Sequence, residues 1–347
     1  MIKVGIDTSP LNNQNAFRGV GRYTKNLIEA IKKNKKIEII GGDWKSLQAK
    51  VDLIHFPYFD LFFHTLPIIK KKKTVVTIHD CIPLIFPKYY PSGIKGNFSF
   101  LLQKIALGSV NMVLTDSDSS KKDIKTMLNC PESKIKTVYL APDEKYQKLI
   151  IGNEIKEELS KKFGLQGDFI LYAGDVNYNK NIESLIKAFA KIDKKYQLVL
   201  VGKAWENNQL PEVQKAKEIV KNESLDDRVR FVGFLDDREL VQLYNLAKVY
   251  CQPSFYEGFG LQILEAMACG CPVVTSNLSS MPEVAGAAAV LVNPYRIEDI
   301  AEGINRLITD ESFRKDKINL GYTQTKKFSW VKTAEETIKY YEKVVSE

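Results

Sequence analysis

The sequence predicts an α/β protein made of two doubly wound parallel-sheet domains in tandem. Short apolar runs of strand length alternate with longer helical patterns, as expected for a mostly parallel sheet covered by helices on both faces. That rhythm stops near residues 141–152 and then begins again. With 347 residues the chain has room for two such units, at about 150 residues each.

In order, IKVGID at 2–7 reads as a buried first strand and GVGRYTKNLIEAIKK at 19–33 as the helix that follows it. VDLIHF, TVVTIHD and VNMVLTDS supply three further strands, SSKKDIKTML a helix, and KIKTVYL a fifth strand. Residues 142–164 show no strand character. Then FILYAG, YQLVLVG, RVRFVGF, KVYCQP and CPVVTS read as strands, separated by the helical NIESLIKAFAKI, PEVQKAKEIVKN and DRELVQLYNLA. Helical patterns at 297–307 and 334–345 close the chain. The expected domains are 1–150 and 151–329, with a terminal helix over 330–347. Ligands of open α/β sheets bind beyond the carboxyl ends of the strands, so two such domains facing each other would enclose a deep cleft.

Composition excludes several classes. At 44% hydrophobic and 27% charged residues, this is an ordinary globular makeup rather than a disordered or fibrous one. No run reaches the 18 or so apolar residues of a spanning helix, and the N-terminus reads as a strand rather than a leader, so a cytoplasmic protein is expected. The five cysteines include no C-x-x-C pair and read as reduced core thiols. With three histidines and no spaced Cys/His cluster, no bound metal and no cofactor are expected. Residues 1–150 carry 24 Lys/Arg against 13 Asp/Glu, while the rest carries 26 against 29, so the first half is expected to meet something anionic.

The most informative segment is PSFYEGFGLQILEAMACGCPVV. Its glycine loop, Gly258 and Gly260, opens into a helix, leaving backbone N–H groups and the positive helix end aimed at one spot, which suits a phosphate. Glu265, about a turn into that helix, and Glu257, just before it, bring carboxylates to the same mouth. Carboxylates repel phosphate and accept hydrogen bonds from hydroxyls, so the layout fits a ligand with phosphates in the middle and polyols at both ends, a nucleotide sugar. Solvated helix-end charges beside a simple turn would look the same.

At this point the sequence resembles the family-4 retaining glycosyltransferases, whose E-x7-E motif matches residues 257–274. GVGRYT at 19–24, VVTIHDCIPL at 75–84, FILYAGDVNYNKN at 169–181, RFVGFLDDREL at 230–240, SSMPEVAG at 279–286 and FSW at 328–330 extend the match in order. The resemblance implies the GT-B architecture, two Rossmann-like domains facing across a cleft, with the final helix returning to the first. It implies transfer of a hexose from a nucleoside diphosphate sugar, with retention, to a hydroxyl of a lipid-linked or cell-surface glycan on the inner face of the membrane. The HD-x-x-P-L segment leans toward GDP-mannose, with UDP-hexoses open.

Carried over residue by residue, the resemblance puts Glu265 on ribose hydroxyls and Glu257 on sugar hydroxyls, with the backbone of Gly258, Phe259 and Gly260 near sugar and phosphate and Leu261 in the donor-binding set. Val232 and Phe234 would border the nucleobase. Gly19, Gly21 and Lys180 would attend the diphosphate, Gly174 would belong to the donor-binding set, and His79 would lie near the donor sugar and acceptor. The chain departs from the commoner pattern at Asp175, where many members carry arginine, and at Asn179. Arg18 or Arg22 could substitute for the missing cation. A noncatalytic nucleotide-sugar-binding partner is the alternative that this departure motivates.

Two further motifs have two readings each. Asp116-Ser117-Asp118 spells a metal-diphosphate motif of another fold, but between a strand and a helix it reads as helix capping. The aromatic segment ending in Lys70, Lys71, Lys72 and Lys73 would either dock on anionic lipid or form a solvated charge run. No module for reading nucleic acid is present, so no nucleic-acid partner is expected.

Overall fold

A computed structural model describes residues 1–12 and 19–347. The chain divides into two compact units, Met1–Ala141 with Phe328–Glu347, and Pro142–Lys327. The division falls after Ala141 rather than at 150, because Leu149 N–H donates to Asn245 and Lys145 pairs with Asp237, tying the intervening segment to the second unit.

The first unit runs β1 (Ile2–Asp7), α1 (Gly19–Ile31), β2 (Ile37–Gly42), α2 (Trp44–Leu47), β3 (Leu53–Phe56), β4 (Lys73–Thr77), α3 (Ile82–Ile85), α4 (Gly93–Gly108), β5 (Met112–Thr115), α5 (Asp118–Met127) and β6 (Ile135–Thr137). Among the described residues its six strands are all parallel, in the order β2-β1-β3-β4-β5-β6. β3 and β5 are buried along their whole length, which explains why they read as continuous apolar runs.

The second unit runs α6 (Asn153–Phe163), β7 (Phe169–Ala173), α7 (Ile182–Phe189), β8 (Gln197–Val201), α8 (Pro211–Asn222), β9 (Val229–Val232), α9 (Asp237–Leu246), β10 (Val249–Gln252), α10 (Leu261–Ala268), β11 (Val273–Ser276), α11 (Met281–Ala285), β12 (Ala289–Val292), α12 (Ile297–Thr309) and α13 (Glu311–Thr325). Its strands are parallel too, in the order β12-β11-β10-β7-β8-β9. Strand order therefore reverses between β7 and β10, the topological switch point at which such sheets take ligands.

The chain then returns to the first unit as α14 (Trp330–Ser346). Ser329 caps it by accepting from Lys332 N–H, and Ala334, Thr337, Ile338, Tyr341 and Val344 form its buried stripe, spaced by three and four as a helix face requires. It packs along α1. Thr333 donates to the Tyr139 carbonyl at 2.7 Å, and Lys73 Nζ to that of Val345 at 3.0 Å.

Candidate active site

Both faces of the switch point contribute side chains. The turn after β7 carries Lys180, and the loop after β10 carries Glu257, so adjacent strands deliver the pair to one end of the sheet. Lys180 Nζ donates to both carboxylate oxygens of Glu257, at 2.8 and 2.7 Å. Glu257 is only 5% exposed. Gln252 Nε2 and Ser254 Oγ each donate to its Oε1 at 2.7 Å, and the Tyr250 hydroxyl donates to Gln252 Oε1 at 2.8 Å. A buried carboxylate is tolerable only when paired and hydrogen-bonded in this way.

The loop that holds Glu257 is fastened on two sides. Asn179 accepts from Phe255 N–H at 2.7 Å through its carbonyl and donates to the Tyr256 carbonyl at 2.9 Å through its side chain. Asn181, in a left-handed conformation at φ +56°, donates to the carbonyls of Pro253 and Pro294. From the other side Ser280 Oγ donates to the carbonyls of Glu257 and Phe259, both at 2.9 Å. Asn179 thus serves as a backbone clamp.

Gly260 takes φ +92° immediately before α10, a conformation open to glycine at little cost. α10 then places Glu265 in its second turn, buried, with the Tyr244 hydroxyl donating to its Oε2 at 3.4 Å. Leu261 opens the helix half-buried, and Gly258 and Phe259 are buried in the loop before it. Gly174, beyond β7, donates its N–H to the Val201 carbonyl at 2.9 Å. At the end of β9, Val232 is buried and Phe234 is 59% exposed. Asp175 is exposed and accepts from Val176 N–H.

In the first unit Gly19 and Gly21 stand in the opening turn of α1, and a Cβ added at Gly19 would touch nothing. Its absence of side chain therefore answers no packing need. Arg22 is exposed on α1, and Arg18 lies outside the described residues.

His79 follows β4 and is held by two acceptors, Asp116 Oδ2 at 2.6 Å from Nδ1 and the Pro57 carbonyl at 3.1 Å from Nε2. With an acceptor facing each nitrogen, the surroundings favour the doubly protonated ring. Burial opposes that charge, but the Asp116 carboxylate outweighs it and, with Asp80 and the Pro57 carbonyl, raises the pKa above 6.5. Asp116 is thus the counter-ion of His79 rather than a capping residue. Ser117 is the N-cap of α5, accepting from Ser120 N–H, and Asp118 accepts from Thr137. The pairing could have been sought in the sequence, since both residues follow strands that prove adjacent. Beside it His55, fully buried, links Tyr341 at 2.6 Å and Thr77 at 2.8 Å, and burial lowers its pKa to about 3.

Among the described residues no group of three or more His, Cys, Asp or Glu side chains could hold a metal ion, and no helix is long and apolar enough to cross a membrane. The five cysteines are free and buried. Lys70 and Lys73 depart from the expected solvated or lipid-facing run. Lys70 Nζ donates to the Pro67 and Ala106 carbonyls, and Lys73 is turned toward α14.

Residues 155–324 match the profile of Glycosyl transferases group 1, and residues 40–145 that of Glycosyltransferase Family 4. The chain is 32% identical over 305 residues to the O-antigen chain mannosyltransferase B of Escherichia coli, covering 86% of this chain and 76% of that protein. It is also 32% identical to the serotype-specific mannosyltransferase WbdA of Escherichia coli, across 76% of this chain but only 32% of that longer protein. Among solved structures it resembles Anabaena Alr3699/HepE in complex with UDP-glucose, at TM-score 0.75 and 17% identity, over 99% of this chain and 100% of that one.

Proposed function

The chain belongs to the group 1 glycosyltransferases and has their GT-B fold, and from that premise we propose that it moves a mannosyl residue from a nucleoside diphosphate sugar to a hydroxyl of a lipid-linked or cell-surface glycan, retaining the anomeric configuration. The observation that carries this reading is the Lys180–Glu257 pair at the β7/β10 switch point, beside the glycine loop that opens α10. Mannose is favoured over other hexoses by the two mannosyltransferase relatives. UDP remains a competing nucleotide to GDP, since the HepE structure was solved with UDP-glucose.

In the proposed reaction the bond from the anomeric carbon to the diphosphate oxygen breaks, and a bond to the acceptor oxygen forms on the same face. The departing diphosphate takes up the acceptor proton. Developing negative charge is met by the loop amides, the α10 N-terminus and Lys180, a preorganised set that needs no metal. When Lys180 turns to phosphate, Glu257 keeps Gln252 and Ser254 and frees lone pairs for sugar hydroxyls. Glu265 would hold the ribose. The roles expected of Gly19, Gly21 and His79 are part of the same proposal, with His79 acting as a fixed cation rather than as a base.

The test is a panel of nucleotide sugars read by thermal shift and by transfer to lipid-linked glycans in excess EDTA. A donor at a hundred times its dissociation constant should stabilise the fold by about 2.7 kcal/mol. Shifts with GDP-mannose and metal-free transfer are expected, and silence from every donor would overturn the reading. The exposed Asp175 motivates the second reading, a noncatalytic binder, which predicts a shift with neither transfer nor donor hydrolysis.

A further inference from the structure

Beyond the Lys180–Glu257 pair, the same end of the second sheet holds a carboxylate that is fixed in place and still has acceptor capacity to spare. Glu206 closes the short 3-10 turn Lys203–Glu206 that follows β8, and its Oε1 accepts from the Phe234 N–H, just past β9, at 2.7 Å. A Cβ at Gly233 would come within 2.5 Å of that oxygen, so the glycine keeps the seat of the carboxylate open. Trp205, 4% exposed, pins the turn by packing on Phe231 of β9 at 5.0 Å between ring centroids. A solvated surface glutamate swings freely, whereas this exposed one is held by a backbone amide. Among the described residues nothing else donates to it, which leaves both lone pairs of Oε2 and one of Oε1 open.

Position and chemistry decide what those lone pairs would meet. β8 and β9 stand one and two strand steps beyond β7, whose turn carries Lys180, at about 4.8 Å a step. A donor with its diphosphate at Lys180 would therefore carry its base across the ends of β8 and β9, where Phe234, 59% exposed, adds an aromatic ring to the loop that Glu206 holds. A carboxylate only accepts, so it favours a base edge with adjacent N–H donors. Guanine offers two, at N1 and the 2-amino group. Uracil sets its single N–H between two carbonyls, and adenine and cytosine place a bare ring nitrogen beside the amino group, so each of these turns a lone pair toward the carboxylate.

We propose that Glu206 determines the donor's nucleobase, its carboxylate accepting both N–H groups of a guanine edge. The assignment rests on the transferase reading and deepens it, since it selects GDP over UDP and names the side chain that does so.

Titration calorimetry of the full chain with GDP, inosine diphosphate and UDP tests it. Inosine diphosphate lacks only the 2-amino group, so wild type should bind GDP at least about tenfold more tightly than inosine diphosphate, and UDP more weakly than GDP. Glu206→Gln keeps an oxygen for the Phe234 N–H but turns an amide N–H toward the base. It should lower GDP affinity at least about tenfold, close the gap between GDP and inosine diphosphate, and leave UDP unchanged. Far-UV circular dichroism verifies the fold of the variant, and the wild-type comparison of the three nucleotides needs no variant. Equal wild-type affinity for GDP and inosine diphosphate, preference for UDP, or a variant that binds GDP like wild type would overturn the assignment while the bound nucleotide upheld the donor site. A variant that loses GDP and UDP alike would also overturn it, by showing that Glu206 only holds the loop. No heat from any of the three would overturn the transferase reading together with it.

Discussion

Lys180 and Glu257 show what a single pair contributes. Removing the lysine strands a carboxylate that is 5% exposed, so Lys180→Ala should lose both stability and transfer. Replacing both partners, Lys180→Met with Glu257→Gln, should recover the stability and leave transfer depressed by about 10²-fold or more. Recovery of transfer together with stability would show that the pair is structural alone. His79 and His55 act oppositely on stability with pH. The folded pKa of His79 lies above 6.5, so its contribution is whole below pH 6.5 and is lost as pH rises through the folded value. His55 is depressed to about 3, so its contribution is present above 6.5 and is lost as pH falls toward that value. Urea midpoints of wild type should therefore decline from pH 6.5 into the alkaline range. In Asp116→Asn that decline should flatten, and an unchanged slope would remove His79 as its source.

At the scale of elements, α10 depends on the conformation of the residue before it. Gly260→Ala places a Cβ at φ +92° and about 3.2 Å from Ile263 Cδ1, a change expected to cost about 1–2 kcal/mol. The loop carrying Glu257 should shift with it, so donor affinity measured by calorimetry should fall, and unchanged affinity would detach that turn from the proposed site. Such a turn was legible in the sequence, because glycine before an apolar helix has few other uses. Other elements were not. Five strands were readable in each unit where the described residues form six, and β2 and β12, the missing ones, are sheet-edge strands whose IEIIGG and AVLV follow lysine-rich or alanine-rich stretches. α4 escaped because its solvent face is as apolar as its core face, which erases the 3.6-residue period. Glu257 and Lys180 were visible as residues, but Gln252 and Ser254 were not, and Asn179 stood out only as a departure from arginine, since the roles of all three arise only when β7 and β10 become neighbours.

For the whole molecule, the strand and helix alternation specified two parallel sheets, and the terminal helical pattern specified α14. The arrangement predicts separable stabilities. Deleting residues 328–347 removes the Tyr341 partner of His55 and the carbonyl bound by Lys73, so the first unit should melt early while the transition of Pro142–Lys327 stays in place. Calorimetry with limited proteolysis would check this, and loss of both transitions together would show that the units are not independent. The route of the chain also sets an order of assembly. At about 5–20 residues per second, a ribosome spends about 10–40 s on the second unit before the helix that closes the first can emerge. Throughout that interval the flank of β3 and β4 awaits its cover, so the part of the molecule synthesised earliest is the part that matures last.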